Sequence, residues 1–112
     1  MLILVPSAEA GPHPVSGAPV PITPSSGRLV NKLAVKPRLG QWSKVLVGGP
    51  SLQTDETGAL AVLYPVPNGG QADSFVIQDQ GGANTIDLST IYIYATIPGD
   101  TPMVEAFEYQ TI

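Results

Sequence analysis

Cysteine is absent from the 112 residues, which excludes disulfides and thiolate-bound metal, so stability has to come from packing or assembly. Histidine occurs once, as His13 between Pro12 and Pro14. A zinc site takes three or four soft or imidazole ligands, and this chain does not supply them. His13 also lies far in sequence from any segment that packs, so it is not expected to act in catalysis. Long apolar runs are missing too. None nears the ~18 residues of a membrane-crossing helix, and no membrane partner is expected. The run Met1-Leu-Ile-Leu-Val5 before Ala8-Glu9-Ala10 has no positive flank and is shorter than the ~7–15 apolar residues of a secretion signal, so no signal peptide is expected.

Charge is scarce. Charged residues make up 12% of the chain, about half the usual share, which leaves a surface of Ser, Thr, Gln, Asn and apolar groups that a partner readily covers. Cations are absent beyond residue 44. All five (Arg28, Lys32, Lys36, Arg38 and Lys44) lie in a stretch without acids, whereas every acid except Glu9 follows residue 45. Five cations in a chain of net charge −4 make a poor phosphate footprint, so no nucleic-acid partner is expected. Solvated strand faces or an acidic protein partner fit better, and Arg28, Lys32, Lys36, Arg38 and the nearby Trp42 are the candidate contact residues. Aromatics are only 6% against 43% hydrophobic residues, so the interior must be built from Val, Ile, Leu and Ala. The β-branched members of that set favour strands.

Proline and glycine are abundant, at twelve each, and punctuate the chain too often for long helices. Residues 1–27 hold Pro6, Pro12, Pro14, Pro19, Pro21 and Pro24. They read as an extended Pro-rich N-terminal arm ahead of a single β domain over residues 28–112. Within the arm, Ala18–Thr23 is predicted as a short edge strand with Val20 and Ile22 on one face. Ordering a chain costs ~1.5 kcal/mol per residue, which an arm with few large side chains does not recover alone. It needs a surface: the domain's own, a sister copy's or another protein's. We expect docking on a neighbour through Met1, Leu2, Ile3, Leu4 and Val5, an apolar strand suited to an open sheet edge.

From residue 28 the pattern alternates. Leu29, Asn31, Leu33 and Val35 fall on one face and Val30, Lys32, Ala34 and Lys36 on the other, predicting a strand that ends at Pro37. Lys44–Gly48 is expected to pair with it as a hairpin across the Arg38–Ser43 turn. Ala59–Tyr64, Ser74–Gln78, Thr90–Thr96 and Met103–Tyr109 follow as further strands. About six or seven short strands closed by Gly or Pro indicate an all-β fold, a small antiparallel β-sandwich, jelly-roll-like or barrel.

Chemistry-bearing patterns are few. Asp55, Glu56, Asp73, Asp79, Asp87 and Asp100 fall in predicted turns, where Asp bonds its own backbone. Glu105 and Glu108 sit three apart on one strand, face opposite ways and are expected to be solvated, unlike the carboxylate pair ~5–9.5 Å apart of a glycosidase. No nucleophile elbow, phosphate loop or EF-hand loop occurs. Neither catalysis nor a cofactor is expected. Trp42 with Tyr92 and Tyr94 offers a sugar-stacking alternative.

Four segments appear in a distinctive order: Gly40-Gln-Trp-Ser-Lys-Val-Leu-Val-Gly48, Thr57-Gly-Ala-Leu-Ala-Val-Leu-Tyr-Pro65, Ile86-Asp-Leu-Ser-Thr-Ile-Tyr-Ile-Tyr-Ala95, and Gly99-Asp100 before a strand containing Val104. Over roughly residues 28–109 this order resembles small accessory head proteins of tailed bacteriophages, the cement or decoration proteins. The resemblance implies a β-sandwich or jelly-roll-like subunit made in the host cytoplasm and carried on the virion's capsid surface. Its partner would be the major capsid protein. We also expect a homo-oligomer, dimer or trimer, with the arm docking on a neighbour. A carbohydrate-binding module and a tail or fibre component are the competing classes.

Overall fold

Short apolar alternations, each cut by Gly, Pro or Asp, yield strands and little else. The computed structural model describes residues 1–15, 17–23, 28–38, 41–65, 73–97 and 99–111. Among them lie β1 (Leu2–Pro6), β2 (Gly11–Pro12), β3 (Val20–Pro21), β4 (Leu29–Val30), β5 (Lys32–Lys36), β6 (Val45–Gly48), β7 (Ala59–Leu63), β8 (Phe75–Gln78), β9 (Ile86–Asp87), β10 (Tyr92–Ala95) and β11 (Met103–Thr111). A 3-10 turn, Leu88–Thr90, joins β9 to β10, and no α-helix occurs in the described residues.

One sheet has the order β1-β11-β5-β8, with β2 continuing along the β1 side of β11; the second is β3-β10-β6-β7, and β4 pairs β9 apart from both. The pairings are nested. β1 meets β11, β3 meets β10, β5 meets β8 and β6 meets β7, all antiparallel. Such nesting describes one long two-stranded ribbon, rolled so that successive pairs fall in alternate sheets, which is the jelly-roll arrangement. The core fills the space between the two sheets. Leu33, Val35, Val104 and Ala106 come from the first, Val45, Val47, Leu63, Ile93 and Ala95 from the second, with Val30, Leu88, Val15 and Ile22 closing the ends. Each larger aliphatic there contributes ~1.5–3 kcal/mol by leaving water.

The all-β expectation holds, and two local ones do not. Residues 29–36 and 44–48 do not form a hairpin: β5 pairs with β11 and β8, while β6 pairs with β10 and β7 in the opposite sheet. Sequence neighbours pair by default only when no better partner exists, and here the long strand β11 supplies one. The alternation also slips at Asn31. Leu29 is 40% exposed, whereas Val30, Asn31 and Leu33 are fully buried. Asn31 makes that bend affordable by spending its whole amide: Nδ2 donates to the carbonyls of Asp79 and Ala83 at 2.9 and 2.8 Å, and Oδ1 accepts from Gln78 Nε2 at 3.1 Å. A buried amide satisfied on every side fixes the crossing of β4 into β5.

The N-terminal prolines obey one rule. Ser7 N–H donates to Ala106 O at 2.7 Å and His13 N–H to Pro102 O at 2.9 Å. Antiparallel bonding alternates with period two. Hence Ile3 and Val5 bond inward to β11, while Leu2, Leu4 and Pro6 turn their main-chain groups away from it. Pro12, opposite Met103, also points out. On the second sheet Ile22 N–H reaches Ile91 O at 3.0 Å, which turns Pro21 outward as well. Each strand proline therefore sits on an edge strand, where its missing donor is not needed by the ladder. The predicted edge strand within Ala18–Thr23 is β3.

Candidate interaction surface

The five residues expected to anchor the arm form β1 and the residue before it. They lie along β11 of the same chain, with Leu2 opposite Thr111, Leu4 opposite Tyr109 and Val5 opposite Glu108. Ile3 and Val5 share the core-side face, whereas Leu2 and Leu4 remain 58% and 40% exposed. Strand alternation puts Leu2, Leu4 and Pro6 on the outer face of the first sheet, which β11 continues with Tyr109, Phe107, Glu105 and Met103, β5 with Lys32 and Lys36, and β8 with Val76. Val76 is 52% exposed. The charges of this face, Lys32, Lys36 and Glu105, lie on β5 and β11, and its β1 margin is apolar and ends in an open strand.

The candidate cations do not gather into a patch. Arg28 Nη2 lies 2.9 Å from Glu108 Oε1 and donates to Ser7 Oγ at 3.1 Å, tying the start of the domain to β11 and to the turn after β1. Glu108 is thus a largely buried ion-pair partner, where the strand pattern predicted a solvated residue; its even position puts it on the core-side face next to Val5. Lys36 pairs with Glu105 at 2.6 Å and Lys44 with Glu56 at 3.3 Å. Arg38 donates to Thr101 Oγ1 at 3.1 Å. Lys32 stands on the outer face with no ion pair among the described residues. Acids distant in sequence neutralise most of the cluster, which the sequence shows as purely basic.

Trp42 is 68% exposed in the loop before β6. Tyr92 and Tyr94 are half-buried on β10 opposite Gly48 and Leu46, so Trp42 lies four positions along the chain from the residue that Tyr94 faces. Beside it, Ser43 is buried, and its Oγ donates to Asp100 Oδ2 at 2.5 Å while accepting from Ile97 N–H at 2.9 Å. Ser43 N–H adds a second bond to that carboxylate at 3.0 Å. The buried Ser43 hydroxyl is engaged by both Asp100 and Ile97. It latches the loop entering β6 to the loop leaving β10.

Three of the turn acids, Asp55, Asp79 and Asp87, cap their own turns, whereas Asp73 and Asp100 bond residues distant in sequence. Asp79 accepts from Thr85 Oγ1 and Gly81 N–H at 2.7 Å each, and these bonds, the Thr85 hydroxyl first, hold its carboxyl below the ordinary Asp value. Thr57, through its hydroxyl and then its N–H, does the same for Asp55. Asp87 caps the 3-10 turn through Ser89 N–H at 3.0 Å. Asp73 accepts from Tyr64 N–H at 3.0 Å on the free side of β7. His13 Nε2 meets the Glu9 carbonyl at 2.7 Å. Among the described residues no three such side chains gather as metal ligands would.

Sequence reasoning found the turn acids and missed the long-range latches, Arg28–Glu108, Ser43–Asp100 and Asn31. The one available signal was a polar residue interrupting an apolar strand, as at Asn31 and Glu108. Comparison with protein-family models, curated proteins and solved structures gives no match for this chain.

Proposed function

We propose that this protein is a non-catalytic structural subunit of a bacteriophage virion, binding the outer surface of the capsid and stabilising contacts between major capsid protein subunits. The observation that carries the reading is the outer face of the first sheet, where Leu2 and Leu4 stand exposed beside Phe107 and Tyr109 at one margin and Val76 at the other, with Lys32, Lys36 and Glu105 between them. Such a face suits a broad protein contact. The motif order over residues 28–109 points to the same class, and the jelly-roll order is compatible with it by fold analogy alone. Binding in many copies, each with a modest interface, raises the free energy of opening a shell without any chemistry.

Co-sedimentation with capsid shells that lack the protein tests this. Point substitutions are preferred to truncation of the N-terminal segment, because Val15 and Ile22 are part of the core. The full chain is compared with Val76→Lys and Lys32→Glu on the outer face. Saturable binding that these changes weaken about tenfold or more supports the reading, and absence of binding by the full chain overturns it. Exposed Trp42 favours glycan binding as the second reading, which predicts glycan-array signals lost in Trp42→Ala.

A further inference from the structure

We infer that the open edge of β1 is the contact surface for a second copy of this chain, joined antiparallel about a two-fold axis at Leu4. The inference stands apart from the capsid reading, since purified protein alone tests it.

The edges of the two sheets are not equivalent. Along β2 and β3, Pro12 and Pro21 point outward and remove donors. On β7, the Asp73 carboxylate occupies the outward Tyr64 N–H, and the strand's other end follows Asp55 and Glu56. Strand β8 has four residues with Asp73 and Asp79 flanking it, so a second β8 strand would bring like charges within diagonal reach. Among the described edges, β1 offers outward donors at both Leu2 and Leu4 with no acid in the strand or in the chain flanking it before Glu9, and Glu108 opposite Val5 is held by Arg28. Edge strands are usually guarded by charge, proline or a bulge, and here the guard begins at Pro6.

The sequence of β1 also fits itself. With Leu4 opposite Leu4, its N–H and C=O exchange bonds reciprocally, because both point away from β11. Leu2 then faces Pro6 of the second copy, and its N–H meets the Pro6 carbonyl; the missing proline donor leaves only the Leu2 carbonyl without a partner. Ile3 faces Val5. Each cross-strand pair is apolar and none sets like charges together, so the strand's own composition selects a second copy over a charged partner strand. The pairing covers Leu2 and Leu4, whose exposure no packing within the chain explains, and fuses the two first sheets into one.

Because the chain has no cysteine, a single introduced thiol reads the register. Directly opposed residues of a hydrogen-bonded antiparallel pair have Cα atoms about 5.5 Å apart, within the roughly 4.4–6.8 Å range of disulfides. Leu4→Cys is therefore expected to give a disulfide-linked dimer on mild oxidation. Leu2→Cys is not, because the two-fold places the Leu2 positions four residues apart along the strand, about 13 Å. In sedimentation the unmodified chain should dimerise reversibly and Leu4→Lys should weaken the dimer at least about tenfold, while Leu60→Lys on β7 leaves it intact. A chain that stays monomeric at all concentrations, equal cross-linking through both thiols, or dimer loss in Leu60→Lys would overturn the inference. If Leu4→Lys fails to fold, the paired thiols still decide, since they add no charge.

Discussion

The first 23 residues and the strands that follow are held in the same fold by different means. Strands β1, β2 and β3 each have one ladder partner, and among the described residues this segment gives the core Val15 and Ile22, with Val20 packed against it. Strands β5, β6, β10 and β11 are paired on both sides and supply most of the fully buried aliphatics. The N-terminal part therefore relies on main-chain bonds and on prolines that face outward, while the later part stores its stability in side-chain burial. A segment rich in proline can be strand, provided each proline falls on the free side of an edge.

Substitutions that act on one region only can test this contrast. The largest effect is expected in the doubly paired part, where Leu33→Ala leaves a cavity beneath both neighbours of β5 and should lower unfolding free energy by about 2–5 kcal/mol in a denaturant titration. A smaller one is expected at the latch between the regions. Glu108→Gln removes the Arg28 ion pair, which is partly exposed on the Arg28 side, so about 1 kcal/mol or less is expected globally. Amide exchange at Ile3 and Val5 should quicken more than at Leu33; equal acceleration would show that the N-terminal strands are not separately held. The smallest concerns acid. Asp79 titrates below its unfolded value of 3.8, so its stabilising share is present above that pH and is lost as pH falls through the lower folded value. Asp79→Asn should therefore show a flatter fall in melting temperature between pH 5 and pH 2 than the unchanged chain, and an unchanged slope would assign that acid sensitivity elsewhere.

Much of this was legible in the sequence. The strands at 45–48, 59–63, 75–78, 92–95 and 103–111 follow from apolar runs closed by Gly, Pro or Asp, and Asp55, Asp79 and Asp87 cap their own backbone as expected, whereas Asp73 and Asp100 bond Tyr64 and Ser43 instead. Partner choice was not legible, because a strand such as Lys32–Lys36 carries no local mark that its neighbours are Met103–Phe107 and Phe75–Gln78. The same holds for Glu108, which alternation places on a face but cannot pair with a residue 80 positions away. At Gly48 the reason is steric: a Cβ would lie 2.8 Å from the Gly58 carbonyl oxygen and 3.2 Å from Leu52, a crowding set by how the loop folds back. Composition gives each strand its faces, and only the folded chain shows what each face meets.

The nesting of the ribbon also sets an order of events when the chain is made. The inner pair, β6 with β7, joins segments close in sequence, whereas β1 finds its partner only in residues 107–111. On a ribosome, β1 must wait until the chain between it and β11 has been made. Through that interval Leu2–Val5 is an apolar segment without a ladder. The pairing that completes the first sheet is thus also the one that spans the longest stretch of chain.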